Sequence, residues 1–251
     1  MAKQPAKKRS VRRKTTEKFG QKRLEIRNAK IKDIRGIADL VRRVYEDMPA
    51  YTHCEIRGQI NNFPDGCFVA LLDENVVGYC ATMQVAEALA FQDHDWDEIT
   101  GNGYGSRHDP TGDWLYGYEM CVDPKVRGVR IGRRLYEERR ALAEENDLTG
   151  IVFAGRMPNY RRNRRKVEGP QDYLDKVVEG KLHDPVLRFQ LANGFEPHRV
   201  MEGYLPEDKA SMTNAIMMVW RNPYVEHDQP VKKRLPRGVE AVRVATCQLQ
   251  A

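Results

Sequence analysis

Apolar positions recur along residues 24–221 in two rhythms, strict alternation and a helical repeat of about 3.6 residues. Leu24-Glu25-Ile26-Arg27 alternates as a short strand does. From Ile31 to Glu46 the residues Ile34, Ile37, Leu40, Val41 and Val44 fall on one face of a helix. Residues 53–62 predict a second, weaker helix that ends before Pro64. The β-rich runs Phe68–Leu72 and Val76–Met83, joined by Asp73-Glu74-Asn75, predict an antiparallel hairpin. Residues 88–113 read as irregular and are rich in Asp, Gly and aromatic residues. Trp114–Val122 predicts a strand, Ile131–Glu145 a strongly charged helix, and Ile151–Ala154 a short buried strand. An inserted segment follows at 155–184, helical over Gln171–Val178. Pro185–Ala192 predicts a short helix that stops at Asn193-Gly194, and Arg199–Tyr204 and Ala215–Trp220 predict two last strands. Helices and strands interleaved in this order predict an α/β protein with one mixed sheet (an α+β arrangement), neither a doubly wound parallel sheet nor a barrel.

Composition fixes the setting. With 251 residues, and at about 150 per domain, the chain holds one or two domains. A hydrophobic share of 41% beside 31% charged residues is enough for a core. No run approaches the roughly 18 apolar residues of a membrane-spanning helix, and no apolar leader opens the chain. The five cysteines, Cys54, Cys67, Cys80, Cys121 and Cys247, lack C-x-x-C spacing, so reduced thiols in a cytoplasm are expected, with no metal.

The net charge of +6 is unevenly placed. Residues 1–23 hold ten Lys and Arg against Glu17 alone, for +9; of the 42 bases and 36 acids this leaves 32 and 35, or −3. That segment is almost free of apolar residues and predicts a disordered basic tail, able to touch nucleic acid or an anionic surface through salt-sensitive contacts. The domain order expected is therefore a tail at 1–23, a folded body at 24–221, and a linker at 222–251.

The stretch with most chemistry is Tyr118-Glu-Met-Cys-Val-Asp-Pro-Lys-Val-Arg-Gly-Val-Arg-Ile-Gly-Arg-Arg-Leu-Tyr136. A strand stops at Asp123-Pro124, a loop carries Arg127-Gly128, and a helix begins near Ile131-Gly132. Helix N-termini present unsatisfied N–H groups and a positive dipole end, so phosphate binds there. Gly128 and Gly132 would admit a pyrophosphate close to the backbone, and Arg127, Arg130 and Arg133 would supply charge. An ordinary strand-turn-helix with a basic surface accounts for the same residues.

Val122-Asp-Pro124-Lys-Val-Arg127-Gly128-Val129-Arg130-Ile131-Gly132 resembles the acetyl-CoA signature of the GCN5-related N-acetyltransferases (GNAT family), with Arg130 where the second family glycine stands. Ile26–Asp33 and Phe189–Phe195 are similar to the first strand and last helix of that fold, so the resemblance covers residues 24–221. It implies a central, mostly antiparallel sheet flanked by helices, and acetyl-CoA as the acetyl donor. A small-molecule or peptide amine would attack the thioester directly in a ternary complex. The backbone of Met120, Cys121 and Val122 would take the pantetheine arm, and Arg127 to Arg133 the pyrophosphate. A strand amide near Cys121 or Val122 would donate to the oxyanion, a donor worth about 2.7–4 kcal/mol of barrier. Glu119 is the leading candidate for general base. Where many relatives carry a thiolate-protonating tyrosine this chain has Gln190, which leaves Tyr160, Tyr116 or a water for that task. Acids concentrated at 88–113 (Asp93, Asp95, Asp97, Glu98, Asp109, Asp113) would attract an amine, or simply form a solvated loop. Arg156, Arg161, Arg162, Arg164, Arg165 and Lys166 form a basic run in the insertion, facing solvent or a phosphate.

Val242–Gln250 is similar to the first strand of carbon–nitrogen hydrolases of the nitrilase superfamily, so 222–251 is expected to hold a linker and the start of a nitrilase-like strand, and Asp95–Tyr104 and Asp184–Phe195 look like the GNAT half of a GNAT–hydrolase fusion. The residues that hydrolase chemistry needs are absent from this sequence, so no hydrolase activity is expected. Three functions stay open: an N-acetyltransferase, a non-catalytic acyl-CoA-binding regulatory domain of a carbon–nitrogen hydrolase fusion, and a nucleic-acid binder acting through the tail.

Overall fold

The computed structural model describes residues 14–19, 22–126 and 128–226. Two apolar faces organise it. Ile34, Ile37, Ala38, Leu40 and Val41 are buried, and they seat the first helix, α1 (Ile34–Val44), on one side of a sheet. Ile131, Leu135, Tyr136, Leu142 and Ala143 do the same for the long helix α5 (Ile131–Glu145) on the other side. Between α1 and α5 lie α2 (His53–Asn62), α3 (Glu87–Phe91) and α4 (Trp96–Thr100); after α5 come α6 (Tyr160–Asn163), α7 (Pro170–Val178) and α8 (Pro185–Ala192). Helices α1 and α2 share one hydrophobic cluster with the sheet, and α5, α7 and α8 share the second.

The sheet has eight strands among the described residues: β1 (Lys14–Phe19), β2 (Lys22–Asn28), β3 (Cys67–Leu72), β4 (Asn75–Val85), β5 (Trp114–Val122), β6 (Gly150–Arg156), β7 (Glu196–Met201) and β8 (Ala215–Arg221), in the order β1-β2-β3-β4-β5-β6-β8-β7. Every neighbouring pair is antiparallel except β5 with β6. Covered on both faces, the central strands are apolar nearly throughout, which is why β3 and β8 read as continuous hydrophobic runs.

Several boundaries differ from those expected. Residues 14–19 lie inside the segment read as a disordered tail, yet form β1 against β2. The β-branched Thr15 and Thr16 favour a strand, Thr15 Oγ1 donates to Glu138 Oε1 at 3.2 Å, and Glu17 pairs with Arg134 on α5. Residues 1–13, and the hydrolase-like 242–250, lie outside the described residues. The stretch at 88–113 is not wholly irregular: Asp95 caps α4 by accepting from Glu98 N at 2.8 Å. The strand expected at Arg199–Tyr204 is shifted to Glu196–Met201, ending before a turn at Gly203 whose φ of 69° suits glycine. The insertion is anchored by the fully buried Asp184, which caps α8 and accepts from Tyr173 Oη at 2.7 Å.

Candidate active site

The site begins where β5 and β6 part. They pair in parallel from Trp114↔Gly150 to Gly117↔Phe153 and no further. Beyond that point β5 keeps to β4 as far as Val122↔Gly78, while β6 keeps to β8 as far as Arg156↔Ala215. A wedge opens between Tyr118–Val122 and Ala154–Arg156, and a cavity of about 610 Å³ fills it, reaching both faces of the sheet.

A bulge decides what faces this wedge. Ala81 pairs with Glu119 and Thr82 with Gly117, so Tyr118 is an extra residue on β5. Trp114, Tyr116 and Tyr118 point towards α1; after the bulge Cys121 does so too, with Met120 and Val122 on the α5 side. The inserted residue turns Glu119 towards α1. There its Oε1 accepts from Tyr45 Oη at 2.9 Å and its Oε2 from Tyr51 Oη at 2.7 Å. Arg139, on α5, spans the bulge from behind and donates to the carbonyls of Ala81 and Glu119.

The loop after β5 closes on itself. Asp123 Oδ1 accepts from Lys125 N at 2.9 Å, and Asp123 Oδ2 from Arg43 Nε at 3.2 Å. Gly128 has φ 83° and open space where a Cβ would stand. Arg130 precedes α5 in the left-handed region, with φ 51° and ψ 38°. This is a conformation that costs a non-glycine residue about 1–3 kcal/mol. The arginine thus keeps a backbone shape that glycine would take freely. No side chain caps α5, so its first N–H groups remain available to an anion.

A model of the acetyltransferase (GNAT) family matches residues 34–165, from α1 past the loop that opens α5. The chain belongs to the acetyltransferase (GNAT) family. It is 32% identical over 170 residues to an uncharacterized N-acetyltransferase, YkwB of Bacillus subtilis (strain 168), covering 68% of this chain and 74% of that protein. It is 34% identical over 230 residues to the probable hydrolase YhcX of the same organism, covering 92% of this chain. The chain spans only 44% of YhcX. Among solved structures it is similar to the GNAT-like decarboxylase GphF in complex with isobutyryl-CoA, with TM-score 0.68 and 27% identity over 78% of this chain and 98% of that one. The loading GNATL domain of CurA from Lyngbya majuscula shares the fold, with TM-score 0.68 and 19% identity over 79% of this chain and 98% of that one.

Within this GNAT domain, Glu119, Met120, Cys121 and Val122 all line the cavity. Glu119 is 7% exposed; burial raises its pKa above the usual carboxylate value, while Tyr51, Tyr45 and Arg139 pull it back down. Burial likewise pushes the phenols of Tyr45 and Tyr51 well up, so both stay protonated donors. Arg127 lies outside the described residues. At Gly132 a Cβ would lie 2.8 Å from the Phe189 ring, so the missing side chain lets α5 approach α8, while its N–H is one of the uncapped groups at the start of α5. Val129 and Ile131 are buried in the α5-side core. Arg133 pairs on the surface with Glu137 at 3.0 Å, and it is Arg134 that ties the loop, Nε donating to Val129 O at 3.1 Å.

Tyr160 is not brought to the wedge. It is buried with its ring centroid 5.2 Å from that of Tyr173 and is not part of the cavity wall. Tyr116 is also absent from the wall; its hydroxyl lies 3.0 Å from His94 Nε2 and 3.1 Å from Tyr204 Oη. Of the basic run, Arg156 leaves the group to form a two-pronged pair with Asp208 at 2.7 and 2.8 Å, its guanidinium 5.5 Å over the Tyr45 ring. Arg161, Arg162, Arg164, Arg165 and Lys166 are exposed on α6 and the turn after it.

Sequence reading missed Tyr45 and Tyr51, which flank the α1–α2 connection, and Trp96, whose ring stacks on Tyr51 at 5.8 Å. It also missed Arg139. A signal for that residue existed, since it lies four after Leu135 and three before Leu142 on the apolar stripe of α5. At the outer end of the cavity Glu55, Asp97 and Glu207 stand together; burial raises the pKa of Asp97, and Asp95, Glu207 and Glu55 raise it further. Among the described residues no helix is long and apolar enough to cross a membrane.

Proposed function

We propose that this chain transfers an acetyl group from acetyl-CoA to an amine, by direct attack within the wedge between β5 and β6. The observation that carries this reading is the position of Glu119. The carboxylate sits in the cavity wall beside the strand segment that β6 has released, turned by the bulge to the face opposite α5. The donor belongs on the α5 side, its pyrophosphate at the uncapped N-terminus of α5 with Gly128 and Arg130, and its pantetheine arm along Met120–Val122.

The acceptor belongs on the α1 side. An alkylammonium with a pKa of about 10.4 must lose a proton before it can attack. Glu119 accepts from one phenol on each oxygen and from the Cys121 thiol, which leaves one of its four acceptor sites for the amine. Its raised pKa makes it a better base than an exposed carboxylate. Glu55, Asp97 and Glu207 at the mouth draw the cation in, and the Tyr51–Trp96 stack gives it an aromatic wall.

A second reading has its own support. The 27%-identical GphF is a decarboxylase, and Arg139 lines this cavity with no salt-bridge partner among the described residues: its hydrogen bonds go to two carbonyls, and the Glu119 carboxylate attracts it only at longer range. A carboxylated acyl-CoA would supply that partner. One assay separates the two: free-thiol release from acetyl-CoA is measured against diamines and lysine-bearing peptides, and carbon dioxide release from malonyl-CoA without amine. Amine-dependent thiol release supports acetyl transfer. Carbon dioxide release with no thiol release on any amine overturns it in favour of decarboxylation. Silence in both assays, with acetyl-CoA bound, returns the chain to a binding module.

A further inference from the structure

On the α5 side the cavity wall is apolar except for three side chains, Tyr136, Arg139 and Gln190. They are 3%, 2% and 5% exposed. Arg139 Nε and Gln190 Oε1 have no hydrogen-bond partner among the described residues. Buried polar atoms without partners are costly, and native proteins keep them chiefly where a ligand or water completes them.

The geometry around Tyr136 is tightly set. Its ring lies 4.7 Å from Phe195, 5.6 Å from Phe189 and 5.8 Å from Phe153, centroid to centroid. Gln190 fits beside it because residue 155 is glycine: a Cβ there would lie 2.3 Å from Gln190 Oε1. The other phenols of the wall are committed elsewhere. Tyr45 and Tyr51 donate to Glu119, and Tyr204 is bonded to Tyr116. Tyr118 directs its hydroxyl at Gly105, where a Cβ would lie 2.6 Å from it.

We propose that Tyr136 is the catalytic acid that protonates the CoA sulfur as the thioester breaks, with Gln190 and Arg139 as its positioning residues. This rests on the acetyl-transfer reading. Once the amine nitrogen has bonded to the carbonyl carbon, the C–S bond breaks and its electron pair goes to sulfur. The Tyr136 hydroxyl proton moves to that sulfur and leaves a free thiol. The surplus proton on nitrogen departs through Glu119 to water, and the phenolate regains a proton from water. Burial, the largest influence, keeps the phenol protonated and works against its giving up that proton, so the transfer depends on the groups that stabilise the phenolate. Arg139 and Gln190 favour the phenolate that follows, as does Arg140, while Cys80 opposes it.

The test uses Tyr136→Phe, which keeps the ring in its aromatic nest, and reads two things. First, the thiol of bound free CoA is titrated by its ultraviolet thiolate absorbance. Losing the phenol donor raises that thiol pKa by about one unit. Gln190→Met, which keeps the phenol, raises it by less. Second, kcat with acetyl-CoA falls by about 100-fold at near-constant KM, and the defect shrinks with a thioester of a more acidic thiol. Equal thiol pKa values in the variant and the unaltered protein overturn the assignment, whatever the turnover. Absence of turnover in the unaltered protein overturns acetyl transfer and leaves the titration to decide Tyr136. Failure of the unaltered protein to bind CoA overturns both.

Discussion

The Tyr51 hydroxyl donates to Glu119 Oε2 across 2.7 Å, and it does so only because the extra residue Tyr118 rotates Glu119 onto the α1 face of the sheet. A phenol from a connecting segment and a carboxylate from a central strand therefore define the α1 side of the wedge together. That bond has a measurable sign. It stabilises the charged carboxylate, so it lowers a pKa that burial has raised.

Tyr51→Phe removes the bond and lets the pKa of Glu119 climb further. A base works only once deprotonated, so the acid limb of the kcat profile moves to higher pH in the variant. Initial rates across a pH series at saturating acetyl-CoA and amine check this. A limb that stays in place or moves to lower pH contradicts it.

Glu119→Gln keeps the shape and removes the carboxylate that we propose as the base. Rates fall by about 100- to 10,000-fold, the usual worth of a positioned general base, with acetyl-CoA affinity unchanged. Stopped thiol-release assays and calorimetry on the same preparation separate the two quantities.

The same variant makes the protein more stable at neutral pH. Glu119 has a folded pKa above its unfolded value, so its favourable contribution is complete below the ordinary carboxylate pKa and is lost as pH rises through the raised one. Each unit of that shift corresponds to about 1.4 kcal/mol. Thermal melts will show Glu119→Gln above the unaltered protein near neutrality, with the gap closing below about pH 4.

Gly132→Ala places a methyl group 2.8 Å from the Phe189 ring, between α5 and α8. Overpacking of this kind costs about 1–3 kcal/mol, read as a lower urea midpoint with an unchanged slope. Gly128→Ala meets no atom within 4 Å and loses stability through its φ of 83° alone.

What the sequence revealed and what it hid divide along physical lines. The stripe Ile34, Ile37, Leu40, Val41 and the hairpin around Asp73 follow from local periodicity, and both are present. The strand-turn-helix at Val122–Gly132 was legible because its backbone demands, two left-handed positions and an uncapped helix start, are met by adjacent residues. The α1 side of the wedge was not legible. Glu119 was found, but its direction depends on a one-residue bulge that no alternation pattern records, and Tyr45 and Tyr51 reach it from more than sixty residues away in sequence. The packing use of Gly132 was not legible either, because only the position of Phe189 shows that α5 and α8 meet there. Residues 14–19 were read as tail because charge outweighed the strand-forming pair Thr15-Thr16, and their partners on α5 are remote in sequence.

The central claim is that the parting of β5 and β6 is an acyl-CoA site. Isothermal titration of acetyl-CoA into the protein tests it most directly. The account predicts saturable binding at one ligand per chain, with a matching rise in melting temperature. Absence of heat and of any thermal shift at millimolar ligand would contradict it.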